Sequence, residues 1–200
     1  MTNVLGIVGF RPLYMLGGGE IPLQRVQAIS GPATSIFKGD NVTPAATGLW
    51  DLATAGTGNV IGSVSVGCQF VNSAGKVVRE KYLPAGTTYT ASAGDERCNW
   101  LYVIAPDALE EVVFEATVSE ATTPIVIAQT DLNLNYNFVA GAGSTPTGNS
   151  GQYLNSTGRA VTSTLQWRVI AFKESPRNDR NAINPRVLCR VNLTMRSTGI

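Results

Sequence analysis

The chain of 200 residues has no histidine. This removes histidine-based nucleophilic triads, imidazole acid–base chemistry and most zinc and iron sites in one step. Cysteine is scarce and odd in number, with Cys68, Cys98 and Cys189 far apart and no C-x-x-C pairing. Neither a zinc site nor a disulfide framework is indicated, and buried free thiols are expected. Charged residues make up only 14%, against about 25% for an average soluble domain. No apolar run approaches the ~20 residues needed to span a bilayer. No secretory leader pattern opens the chain, so synthesis in the cytoplasm without a membrane partner is expected. A glycine-rich turn from strand to helix is missing as well. Gly56-Thr57-Gly58-Asn59 lacks the lysine and the following helix of a phosphate loop. No enzymatic activity, cofactor or metal is expected.

What the chain does have is β-branched residues cut into short runs by glycine, proline and asparagine. The densest stretch is 34–85, with runs at 35–37, 41–43, 49–52, 60–71 and 76–83. No apolar repeat at i, i+3, i+4 is sustained, so compact antiparallel β structure is predicted. Residues 60–71 alternate large and small side chains and read as a central strand, with Gly62 and Gly67 marking bends or bulges. Ser73-Ala74-Gly75 reads as the loop of a hairpin leading into 76–83. Residues 100–105 and 112–118 read as a further strand pair, joined by 106–111 as one helical turn or a loop. Residues 164–172 and 186–195 form the clearest hairpin. Its inward faces are predicted as Leu165, Trp167, Val169 and Ala171 on one strand, and Val187, Cys189, Val191 and Leu193 on the other. The fold class is therefore all-β, a barrel or a sandwich.

Three segments stand outside this frame. Residues 1–33 are broken by Gly6, Gly9, Pro12, Gly17 to Gly19, Pro22, Gly31 and Pro32 yet are strongly apolar. They are expected as an extended N-terminal arm with a first strand at 24–29, packed on its own domain 34–200 or laid over a neighbouring subunit. Residues 141–158 hold five glycines and many hydroxyls, and are expected as a long surface loop anchored by Tyr153 and Leu154. The link 173–185 is polar and basic, and its tip is expected to project. Residues 1–157 carry seven Lys/Arg against twelve Asp/Glu, whereas 158–200 carry eight against two. This separation favours association between charged surfaces. The basic residues are spread singly with few aromatics between them, so nucleic acid is not an expected partner. Candidate interface residues are Phe10, Arg11, Leu13 and Tyr14 on the arm, Tyr153 and Leu154 at the end of the long loop, and Arg177 and Arg180 on the basic link.

Candidate sites of other kinds fare poorly on spacing. Glu110 and Glu111 are adjacent, whereas glycoside hydrolysis needs two acids held apart across a cleft. Asp131, Asn133 and Asn135 alternate like a calcium loop but lack the following glycine and the closing glutamate. Trp50, Trp100 and Trp167 are candidates for stacking on a carbohydrate, with core packing the competing reading.

The order Gly9-Phe10-Arg11-Pro12, then Ile36-Phe37-Lys38-Gly39-Asp40-Asn41-Val42, then the strand 60–71, Lys81-Tyr82-Leu83-Pro84-Ala85 and the loop 141–151 resembles a family of tailed-bacteriophage virion proteins. These are small β-rich capsid cement or decoration proteins. The resemblance implies a homotrimer on the outer surface of a shell of major capsid protein, resisting the pressure of packaged DNA. It carries no active-site residues over. The neighbouring expectations are a tail or head–tail connector protein, or a module for host-surface carbohydrate.

Overall fold

The computed structural model describes residues 9–90, 92–120, 126–176 and 178–196. The fold is all-β, with 40% of residues in strands and 5% in helix. In chain order the strands are β1 (Arg11–Met15), β2 (Leu23–Gln27), β3 (Ile36–Phe37), β4 (Asn41–Pro44), β5 (Trp50–Leu52), β6 (Ser63–Val71), β7 (Val77–Glu80) and β8 (Tyr82–Leu83). They continue with β9 (Trp100–Ile104), β10 (Val112–Ser119), β11 (Asn135–Tyr136), β12 (Phe138–Val139), β13 (Tyr153–Asn155), β14 (Trp167–Phe172) and β15 (Arg186–Val191).

One sheet runs β11-β14-β15-β10-β13-β12, with β1 added to β10. Its inner face is built on aromatic residues. Phe10 stacks on Trp167 with centroids 4.1 Å apart, and Phe114 meets Trp167 edge-on at 5.1 Å. Each large side chain taken fully out of water contributes about 1.5–3 kcal/mol. The expected C-terminal hairpin is present as β14 and β15, antiparallel from Trp167 opposite Val191 to Phe172 opposite Val187. Its predicted inward residues Trp167, Val169, Val187 and Cys189 are wholly buried. A register shift between Val169 and Ala171 breaks the alternation and leaves Ala171 half-buried.

The second sheet runs β2-β9-β6-β4-β5, with β7 added to β6. A parallel bridge between Ala28 and Trp50 brings β5 back to the end of β2, so this sheet nearly closes into a barrel. Val26, Val42, Cys68, Phe70, Leu101 and Val103 fill it, and Ile36 and Leu83 from the short β3–β8 pair plug one side. The strand read at 60–71 is β6, and it is central. Its register against β9 slips between Ser65 and Gly67, the bulge position expected from Gly67. Gly62 sits where a Cβ would lie 2.9 Å from Pro44 and 3.0 Å from the Trp50 ring. The β6–β7 hairpin closes as predicted. Gly75 adopts φ +74° and the Asn72 carboxamide accepts from the Ala74 and Lys76 amides.

Two expectations need correction. Residues 100–105 and 112–118 are not a strand pair: β9 belongs to the barrel and β10 to the other sheet. Between them Pro106–Glu111 forms a 3-10 turn with a proline at its start and Leu109 buried beneath it, which swings the chain from one sheet to the other. The strand expected at 24–29 is not the first, because β1 precedes it, and of the two placements expected for 1–33 the described residues 9–33 take the one on their own domain, with β1 in one sheet and β2 in the barrel. Phe10 is the physical reason, because its ring sits wholly within the aromatic core. Residues 1–8 lie outside the described part of the chain.

Candidate functional site

The two sheets are tied together at one bend, Phe37-Lys38-Gly39-Asp40-Asn41, between β3 and β4. Gly39 has φ +92°, a conformation that favours glycine. The Asp40 carboxylate accepts from the Phe37 amide at 2.7 Å and folds the bend over itself. Backbone bonds then radiate from it. Phe10 N donates to Gly39 O at 2.9 Å, Gly39 N to Ser65 O at 2.7 Å, and Ser65 N to Asp40 O at 2.9 Å. Lys38 N donates to Lys81 O at 2.8 Å, while Ser150 N donates to Lys38 O at 2.8 Å. The Asn41 amide and carboxamide both donate to Gln152 Oε1, at 2.9 and 2.7 Å.

Five segments that are remote in sequence thus meet within a few residues. Close approach demands glycine here. A Cβ on Gly9 would lie 2.5 Å from Gly39 O, and one on Gly143 would lie 2.2 Å from the Phe37 ring. Phe37 in turn stacks on Tyr82 at 5.1 Å. Burial pushes the Asp40 carboxyl up to about 6, only partly offset by hydrogen bonds from Ser150 and the Phe37 amide. Beside the bend opens a cavity of about 290 Å³ lined by Phe10, Arg11, Pro12, Lys38, Gly39 and Asn149.

The interface candidates from sequence fall into three groups. Arg11 and Tyr14 are exposed on β1 and Leu13 is half-buried there, where the register shifts between Pro12 and Tyr14. Phe10 and Leu154 are wholly buried, so neither offers surface. Leu154 pairs with both Val118 and Phe138 and anchors the long loop, with half-buried Tyr153 beside it. Arg180 is exposed in the basic link, far along the chain from β1, and Arg177 lies outside the described residues. The loop 141–158 is more structured than its composition suggests. It contains β13, and a bridge from Asn149 to Lys38 pins its middle.

The remaining buried carboxylates hold structure. Glu115 faces the Arg186 guanidinium at 3.2 Å with Arg11 at 3.9 Å, and Asp131 pairs with Arg159 at 2.9 Å. Trp167 is core, Trp100 is capped by the Arg25 guanidinium at 4.2 Å, and Trp50 packs half-buried on the barrel. Sequence reasoning passed over Gln152, Ser150 and the role of Asp40. The one available signal was Gly39-Asp40-Asn41, three residue types that favour turns, of which Asp40 bonds nearby backbone.

Comparisons of the chain with protein-family models, with curated proteins and with solved structures found no match.

Proposed function

We propose that this chain is a structural subunit of a tailed-bacteriophage virion, a capsid cement or decoration protein that binds the outside of the major capsid protein shell and associates with itself as a trimer. The observation that carries this reading is the junction at Phe37–Asn41. The five stretches on which the resemblance rests are scattered over some 140 residues of sequence, yet they are the ones that converge there. A likeness spread over unrelated loops would be coincidence; one concentrated in the contacts that join two sheets supports a shared scaffold.

One further feature fits. Tyr14, Leu16 and Leu23 are 47%, 53% and 59% exposed along β1, the turn after it and the start of β2. Large apolar side chains left out of the core beside an edge strand suit contact with a neighbour. The division of charge along the sequence does not carry over to the folded surface, because β15 lies against β10 and the pairs Glu115–Arg186 and Asp131–Arg159 cross it within one chain. Cement action is a sum of repeated interfaces, each on the order of 1,000 Å² or more, and needs no single strong site.

The test is shell stability. Heads assembled without this chain are expected to rupture at lower temperature than complete heads, and adding back the purified protein restores the difference. Equal resistance of both kinds of head to heat and chelation would refute the proposal.

A further inference from the structure

Residues 85–90 and 92–99, rich in threonine, serine and charged side chains, fold over the end of the barrel as a braced loop. Cys98 and Asn99 are wholly buried at its foot, and the Asn99 carboxamide donates to Ile29 O at 3.1 Å and Thr87 O at 2.7 Å. The Trp100 indole donates to Asp95 O at 3.0 Å. Tyr89 is fixed at both ends of its residue: its amide donates to Ser30 Oγ at 3.1 Å, and its hydroxyl accepts from Gln27 Nε2 at 2.9 Å and donates to Ala28 O. Loops of this length with their own packing usually do something.

Between this loop and the end of β6 lies a cavity of about 460 Å³. It is lined by Val71 and Tyr89 and by the polar residues Thr88, Thr90, Ser92, Asp95 and Arg97. This volume falls in the range of small-molecule sites, and five of its seven lining residues are polar, which suits a ligand rich in hydroxyls. The lining holds one carboxylate, Asp95, and one guanidinium, Arg97, so the cavity has no net charge to select an ion; one Asp95 oxygen accepts from the Arg97 amide at 2.8 Å, which leaves the other for a ligand. Glu96 adds none, because its carboxylate is turned to Arg25 and Gln69 at 2.6 and 2.7 Å. The hydroxyls supply both donors and acceptors, the acid adds acceptors and the guanidinium adds a fork of donors. An aromatic ring offers a flat apolar surface.

We propose that this cavity binds a neutral sugar residue, an uncharged hexopyranose of a glycan, with its C–H face toward Tyr89 and its hydroxyls shared among Asp95, Arg97 and Thr90. Alternating hydroxyls that both give and accept hydrogen bonds, on a ring with one apolar face, match this lining. The site uses none of the three tryptophans and stands independently of the virion reading.

The experiment is saturation-transfer NMR on the full chain with the methyl glycosides of glucose, galactose, mannose and N-acetylglucosamine, and glucuronic acid as a charged comparator. At least one neutral glycoside is expected to bind with a roughly millimolar Kd. Arg97→Ala and Asp95→Asn, both exposed positions, are expected to weaken that binding about tenfold with the thermal midpoint unchanged. Thr90→Ala supplies a third variant outside the braced foot of the loop. Transfer to none of the neutral glycosides, transfer to glucuronic acid in preference to them, or neutral binding unaltered in the variants would overturn the proposal.

Discussion

Replacing Asp40 by asparagine should make the protein more stable at neutral pH and leave it unchanged in acid. Asp40 is 3% exposed, and its carboxyl is raised from 3.8 to about 6. A shift of this size corresponds to about 3 kcal/mol at 1.36 kcal/mol per pH unit. The sign follows from which state holds the proton. Because the folded value lies above the unfolded one, the folded chain binds the proton more tightly between 3.8 and about 6. Stability from this group is therefore complete below that window and is lost as pH rises through it. Asparagine is nearly isosteric, keeps an oxygen for the Phe37 amide and carries no charge to desolvate. Urea unfolding of both proteins from roughly pH 4 to pH 8 should show their free energies converging in acid. At the alkaline end they should diverge by up to about 3 kcal/mol in favour of the variant, or about 6–12 °C in Tm for a chain of this size. A difference that is flat with pH, or that grows toward acid, would refute the assignment of Asp40 as a buried, proton-holding hinge.

Gly143→Ala should destabilise by about 2 kcal/mol through overlap with the Phe37 ring, whereas Gly17→Ala, with nothing within 4 Å of the new Cβ, should stay within about 0.5 kcal/mol; thermal melts check both. Arg186→Ala should cost about 2 kcal/mol by leaving Glu115, whose side chain is 5% exposed, with only the distant Arg11, and adding Glu115→Gln should recover part of the loss in a double-mutant cycle. Burial raises the Cys189 thiol and pushes Cys68 up to about 12, so at mildly alkaline pH the folded protein should titrate slowly with a thiol reagent at these two positions and rapidly once denaturant is added.

The strands were legible where alternation met a turn former. The β6–β7 and β14–β15 hairpins declare themselves through Gly75 and through the inward run from Trp167 to Val169. Sheet membership was not legible. Nothing local separates a connection that folds β9 back on β10 from one that carries the chain to another sheet, and burial of Leu109 decides it. For the same reason Phe10 looked like surface. An aromatic residue between glycine and arginine gains its place only once Trp167 and Phe138, more than a hundred residues away, form a socket. The junction at Phe37–Asn41 depends on partners as remote as Gln152. Its turn residues were visible, while what they join was not.

The proposal that this chain is a cement subunit is tested most directly by its copy number per phage particle. Quantitative mass spectrometry of purified particles against the major capsid protein should give a stoichiometry in fixed proportion to capsomers, on the order of hundreds of copies as repeated weak interfaces require. A few to dozens of copies, confined to tails or connectors, would contradict it.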